Sequence, residues 1–104
     1  MPQEVRGELF NSTPPFAEYI NNYALVANTA RNITVPAGYK YALFACNQPA
    51  FYACTVTTAA VPTVDVVDGT GSELNPTRRE VDTGDVISVI SPTTGKLTVS
   101  FYDR

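Results

Sequence analysis

Val86-Ile87-Ser88-Val89-Ile90-Ser91-Pro92-Thr93-Thr94-Gly95-Lys96-Leu97-Thr98-Val99-Ser100-Phe101-Tyr102 is the stretch that decides the fold. Its second half alternates: Leu97, Val99 and Phe101 fall on one side of an extended chain, and Lys96, Thr98, Ser100 and Tyr102 on the other. Successive side chains of a strand point to opposite faces, so this is a half-buried strand with one face on a core. Val86 to Ile90 is a second β-branched run, and Ser91-Pro92-Thr93-Thr94-Gly95 carries the residues that end it.

Working outward, the same grammar recurs. Val81 to Ser91 is interrupted at Thr83-Gly84-Asp85, and Arg31-Asn32-Ile33-Thr34-Val35 stops at Pro36-Ala37-Gly38. Lys40 to Cys46 and Ala50 to Val56 read as a hairpin around Asn47-Gln48-Pro49-Ala50. The connection from Thr57 to Arg78 is long enough to be functional, and Val61 to Val67 is a candidate further strand within it. Phe16, Tyr19, Ile20, Tyr23 and Ala27 have helical spacing, but Asn21-Asn22 also fits a turn between strands Phe16–Ile20 and Tyr23–Ala27. The strand reading agrees with the rest of the chain and is favoured. Residues 1–15 hold few apolar groups and read as an arm. The expected fold is all-β, a small antiparallel β-sandwich or barrel with an N-terminal arm: residues 1–30 as arm or short edge elements, residues 31–104 as the β-sandwich domain.

At 104 residues the chain is one domain long. A formal net charge of −3, with Arg78-Arg79 as the one adjacent basic pair and Glu73, Glu80 and Asp82 around it, argues against nucleic acid as partner. No apolar run is long enough for a membrane helix, and the N-terminus lacks the apolar segment of a secretory signal, so synthesis in a cytosol is expected. Cys46 and Cys54 fit that compartment. In the hairpin reading a four-residue loop sets Cys46 opposite Phe51 and Cys54 opposite Leu43 on the other face. A three-residue loop leaves the cysteines roughly 13 Å apart at about 3.3 Å per residue. A disulfide needs Cα atoms within about 7 Å. Both are therefore expected as buried free thiols.

The chain has no histidine, so imidazole-based catalysis and the usual zinc patterns are absent. The acidic stretch with Asp65, Asp68 and Glu73 offers oxygen ligands of the kind calcium takes, but without EF-hand spacing. Solvated turn residues are the plainer explanation. Paired-carboxylate glycoside hydrolysis needs a cleft that a domain of this size hardly accommodates. No enzyme activity, cofactor or metal is expected. Six tyrosines and five phenylalanines make up an aromatic set of which Phe51 and Tyr52, as strand neighbours, must face opposite ways. Exposed members of such a set mark protein interfaces or sugar platforms.

The run Ile33-Thr34-Val35-Pro36-Ala37-Gly38, then Phe51-Tyr52, Ala59-Ala60-Val61-Pro62 and Asp68-Gly69-Thr70-Gly71-Ser72-Glu73-Leu74-Asn75-Pro76, resembles small virion proteins of tailed bacteriophages. The likeness continues through Ile87-Ser88-Val89-Ile90-Ser91-Pro92 and Val99-Ser100-Phe101-Tyr102, so it spans about residues 31–102, and the order of the pieces carries it. It departs after Phe51-Tyr52, where Ala53-Cys54-Thr55-Val56-Thr57-Thr58 replaces a glycine-rich turn. The resemblance implies a structural protein located in the virion and assembled in the host cytoplasm, in its sharpest form a capsid decoration or cement protein. Its implied partners are the major capsid protein or other virion proteins, and itself, as a homo-oligomer with a trimer favoured. A tail or neck component and a β-sandwich carbohydrate-binding module are the alternatives. Phe16, Tyr19, Tyr23, Asp65, Asp68, Glu73 and Asn75 are the expected interface residues.

Overall fold

The computed structural model describes residues 16–103, which form eight antiparallel strands in two four-stranded sheets. Sheet A has the order β1 (Tyr19–Leu25), β8 (Gly95–Tyr102), β3 (Tyr41–Cys46), β6 (Arg78–Glu80). Sheet B has the order β2 (Arg31–Thr34), β7 (Val86–Ile90), β4 (Tyr52–Cys54), β5 (Glu73–Leu74). The fold is thus all-β. The sheets are separate and unclosed, and they share one core, which makes a sandwich rather than a barrel. Every connection except β4 to β5 passes from one sheet to the other.

The core follows from the alternation. Leu97, Val99 and Phe101 of β8 point inward and are fully buried, meeting Ile33, Ile87 and Val89 of sheet B in one cluster. Phe44 and Phe51 join across the sandwich with ring centroids 6.2 Å apart. In β7 the outward residues Ser88 and Ile90 are buried as well, because the chain after β4 folds back over this face. The Ala59 amide donates to Ser88 Oγ at 2.8 Å, so the buried hydroxyl has its partner.

Arginines tie both long sides of the sandwich. On one side Arg79 of β6 donates twice to Glu73 Oε1 of β5, at 2.9 and 2.5 Å. On the other, Arg31 of β2 lies over the Tyr23 ring, 4.9 Å from its centroid, and donates to the Ala24 carbonyl of β1 at 3.3 Å. Each guanidinium therefore links an edge strand of one sheet to an edge strand of the other.

Four expectations need correction. Residues 19–25 are neither a helix nor a hairpin but one strand, paired from Tyr19↔Phe101 to Leu25↔Gly95. A four-residue interval keeps one face in a strand as well as in a helix, which is why Tyr19 and Tyr23 imitated helical spacing. Asn22 sits mid-ladder, where Thr98 Oγ1 donates to its Oδ1 at 2.8 Å. β1 is thus an edge strand of sheet A, within the span expected as arm or short edge elements. The arm expected over residues 1–15 lies outside the described residues.

The segment from Cys46 to Cys54 reverses direction but is not a hairpin: β3 pairs with β6 and β8, while β4 pairs with β5 and β7. Turn residues specify a reversal, not the sheet to which the chain returns. Val61 to Val67 forms no strand; pairing resumes only at Glu73–Leu74 and Arg78–Glu80. Both cysteines are free but half-buried rather than buried. Cys46 packs against the core from sheet A, whereas Cys54 belongs to sheet B and its thiol donates to the Thr57 carbonyl at 3.1 Å. Denatured protein prepared without reductant should show two reactive thiols per chain by Ellman titration. A value near zero would mean that the two sheets are not arranged this way.

Candidate interaction surface

The connection between β4 and β5, residues 55–72, is the longest between strands among the described residues. Its first part is anchored: Ala59 is buried on Ser88, and the Ala60 amide donates to Ser72 Oγ at 3.3 Å, closing the base of the excursion. Beyond that base the chain runs out through Pro62 and turns at Asp68-Gly69-Thr70. Asp68 Oδ1 accepts from the Thr70 amide at 3.1 Å and from its hydroxyl at 2.6 Å, and Gly69 adopts φ 89°, a conformation glycine takes without strain. The Thr70 hydroxyl, then its amide, holds the Asp68 carboxyl below the usual carboxylate range. A lowered folded-state value means that this turn is favoured while Asp68 is ionised and loses that support as pH falls through the lowered value.

Among its threonines and aspartates the excursion displays large apolar side chains. Val56 is 89% exposed, Val67 90% and Val64 76%, with Val66 and, on β5, Leu74 also open to solvent. Exposed large apolar side chains concentrated on one connection are a mark of an interaction surface. A second group lies along β1: Phe16 is 95% exposed, and Tyr19, Ile20 and Val26 are exposed beside it. Tyr19 is held rigid there, its ring edge-on to Tyr39 and Phe101 with centroids 5.4 and 5.8 Å away.

Of the expected interface residues, Phe16, Tyr19 and Tyr23 lie at the β1 side of the sandwich, and Asp65, Asp68, Glu73 and Asn75 at the β5 side; the two groups do not form one patch. Tyr23 is half-buried under Arg31 and accepts a hydrogen bond from Asn21 Nδ2 at 2.9 Å. Glu73 is engaged by Arg79. Asn75 clamps its own chain: Oδ1 accepts from the Phe51 amide at 2.9 Å, Nδ2 donates to the Pro49 carbonyl at 3.1 Å, and the backbone takes φ 50° to do so. These bonds give it a folding role, and its side chain still reaches the surface. Asp65, Asp68 and Glu73 are not drawn together; among the described residues no three His, Cys, Asp or Glu side chains converge as metal ligands would. The exposed valines are not among the expected interface residues, because β-branched residues suit strands by propensity. The readable signal was Val64, Val66 and Val67 beyond Pro62, in a segment with no strand partner.

A cavity of about 140 Å³ opens between the sheets on the β5–β6 side. Phe44, Ala53, Val81 and Ile87 line it, with Glu73 and Arg79 at its mouth. It is smaller than the ~300 Å³ of ordinary small-molecule sites. The three described arginines have partners within the chain: Arg78 lies over the Tyr41 ring at 4.8 Å, Arg79 on Glu73 and Arg31 on Tyr23. No family model, curated protein or solved structure matches this chain.

Proposed function

We propose that the protein is a non-enzymatic structural component of a tailed-phage particle, decorating or stabilising the capsid as a homo-oligomer. The observation that carries the reading is the valine-bearing connection 55–72, an apolar projection on a well-tied sandwich. The sequence resemblance over residues 31–102 supplies the class of particle. With the three described arginines engaged on their own chain and a net charge of −3, attachment draws on apolar contact and backbone pairing rather than charge.

Purified protein should co-sediment with capsids that lack it, and should do so at roughly 0.5 M salt, where the Debye length is only about 4 Å. Val56→Asp with Val67→Asp should weaken that binding while leaving the thermal midpoint nearly unchanged, since both side chains stand in solvent. A protein that neither binds the shell nor occurs in many copies in the virion would move a tail, neck or sugar-binding role ahead.

A further inference from the structure

The four edge strands of the sandwich differ sharply. β5 is the two residues Glu73–Leu74, β6 is Arg-Arg-Glu, and β2 has four residues headed by Arg31. Short length and charge are the usual protections against pairing with another chain. β1, Tyr-Ile-Asn-Asn-Tyr-Ala-Leu, has seven residues with no charge, no proline and no glycine.

Which of its backbone groups are free follows from the neighbouring ladder. The carbonyls of Lys96 and Tyr102 in β8 accept from Asn47 and Lys40, on the β3 side. Even-numbered residues of β8 therefore bond toward β3, and odd-numbered ones toward β1, where they meet Tyr19, Asn21, Tyr23 and Leu25. The N–H and C=O groups of Ile20, Asn22 and Ala24 point away from the sheet. Arg31 engages the Ala24 carbonyl, as this requires. No segment among the described residues pairs with Ile20 or Asn22 on that side.

We propose that this edge pairs with the β1 of a second copy, antiparallel, about a twofold axis at Asn21. The inward side chains read Tyr19-x-Asn21-x-Tyr23, the same in both directions about Asn21. A twofold there sets Tyr19 opposite Tyr23 of the second copy, twice, and Asn21 opposite its own counterpart. It pairs Ile20 with Asn22 through the groups found free, so both sheets A become one continuous sheet of eight strands. It also brings Glu18 of the second copy to Ala24, beside the guanidinium of Arg31. The self-assembly part of the reading above underlies this inference, which makes the contact twofold where capsid symmetry alone favoured a trimer.

The test uses the full chain. Native protein should sediment at twice the 11.2 kDa chain mass, and Ile20→Lys or Asn22→Pro should return it to one chain mass with unchanged far-ultraviolet circular dichroism. The proline removes an N–H that bonds nothing among the described residues. Asn21→Cys should give a disulfide-linked dimer on mild oxidation, because facing residues of a non-hydrogen-bonded antiparallel pair have Cα atoms about 4.5 Å apart. Native chain, with Cys46 and Cys54 only, should stay unlinked under the same treatment. A folded Asn21→Cys chain that remains monomeric and unlinked overturns the proposal. So does an oligomer, trimer included, whose order survives both Ile20→Lys and Asn22→Pro. None of these readouts needs a capsid, so their failure is told apart from a failure of capsid binding.

Discussion

Phe101→Ala is expected to lower the free energy of unfolding by about 3–5 kcal/mol, the usual cost of deleting a ring from a packed core. Phe101 has no exposed surface, and it sits on the strand that both β1 and β3 pair with, opposite Tyr19 on one side and Ala42 on the other. The alanine neighbour leaves the space the ring fills, so removing the ring leaves a void that two sheets tied at both edges cannot readily close. Tyr19 loses an edge-on ring partner and Tyr39 a tilted one at the same time. Domains of this size have about 5–15 kcal/mol in total, so the variant should melt roughly 15–30 °C lower. Phe101→Leu, which keeps most of the volume, should cost under about 1.5 kcal/mol. Urea titration of the three proteins checks this. A loss below 1 kcal/mol for alanine would mean that the ring is not in the core.

That prediction rests on a residue whose role was legible from sequence. Leu97, Val99 and Phe101 were assigned to one face by alternation alone, and that face is the core. Alternation is a local property, fixed by the geometry of an extended chain, so it survives whatever the strand pairs with. Pairing is not local. Nothing in Asn47-Gln48-Pro49-Ala50 says that the chain crosses to the other sheet there. The crossing is decided by Phe51 meeting Phe44 across the core and by Asn75, distant in sequence, holding the Phe51 amide. The same limit hid β1, whose inward tyrosines only become a strand face once β8 lies beside them.

The surfaces were legible to a similar depth. Phe16, Tyr19 and Tyr23 are expected interface residues; the first two are open to solvent and Tyr23 is half-buried. Glu73 and Asn75, expected interface residues at the end of the long connection, are each engaged within their own chain, one in an edge-to-edge ion pair and one in a backbone clamp. A polar residue on a loop has two callings, partner and fold, and only its neighbours in space decide between them. For Val56 and Val67 the difficulty was opposite: β-branched apolar residues belong in strands by propensity, and here no strand forms.

Gly95 separates packing from propensity by the sign of its effect. It opens β8 opposite Leu25, is buried, and has an ordinary extended backbone, so a β-branched residue there should stabilise the strand if propensity ruled. Gly95→Val is instead expected to destabilise by more than 3 kcal/mol, and Gly95→Ala by about 1–3 kcal/mol. A Cβ at this position would overlap Gln48 Cγ and lie 2.7 Å from Asn47 Oδ1. Neither neighbour yields cheaply. Asn47 Oδ1 accepts from the Lys96 amide at 2.8 Å, the Asn47 amide donates to the Lys96 carbonyl at 3.1 Å, and Gln48 Oε1 accepts from Thr93 Oγ1 at 2.9 Å. These bonds start the crossing from β3 to β4, so a displaced Asn47 disturbs both sheets. Gly38 supplies the contrast: its φ is 87° and an added Cβ would touch nothing within 4 Å, so Gly38→Ala carries only the backbone cost of about 1–2 kcal/mol. Calorimetric melts of the three variants should rank Gly95→Val as the most damaging. If valine at 95 raised the melting temperature, the close approach of Asn47 and Gln48 to β8 would be wrong.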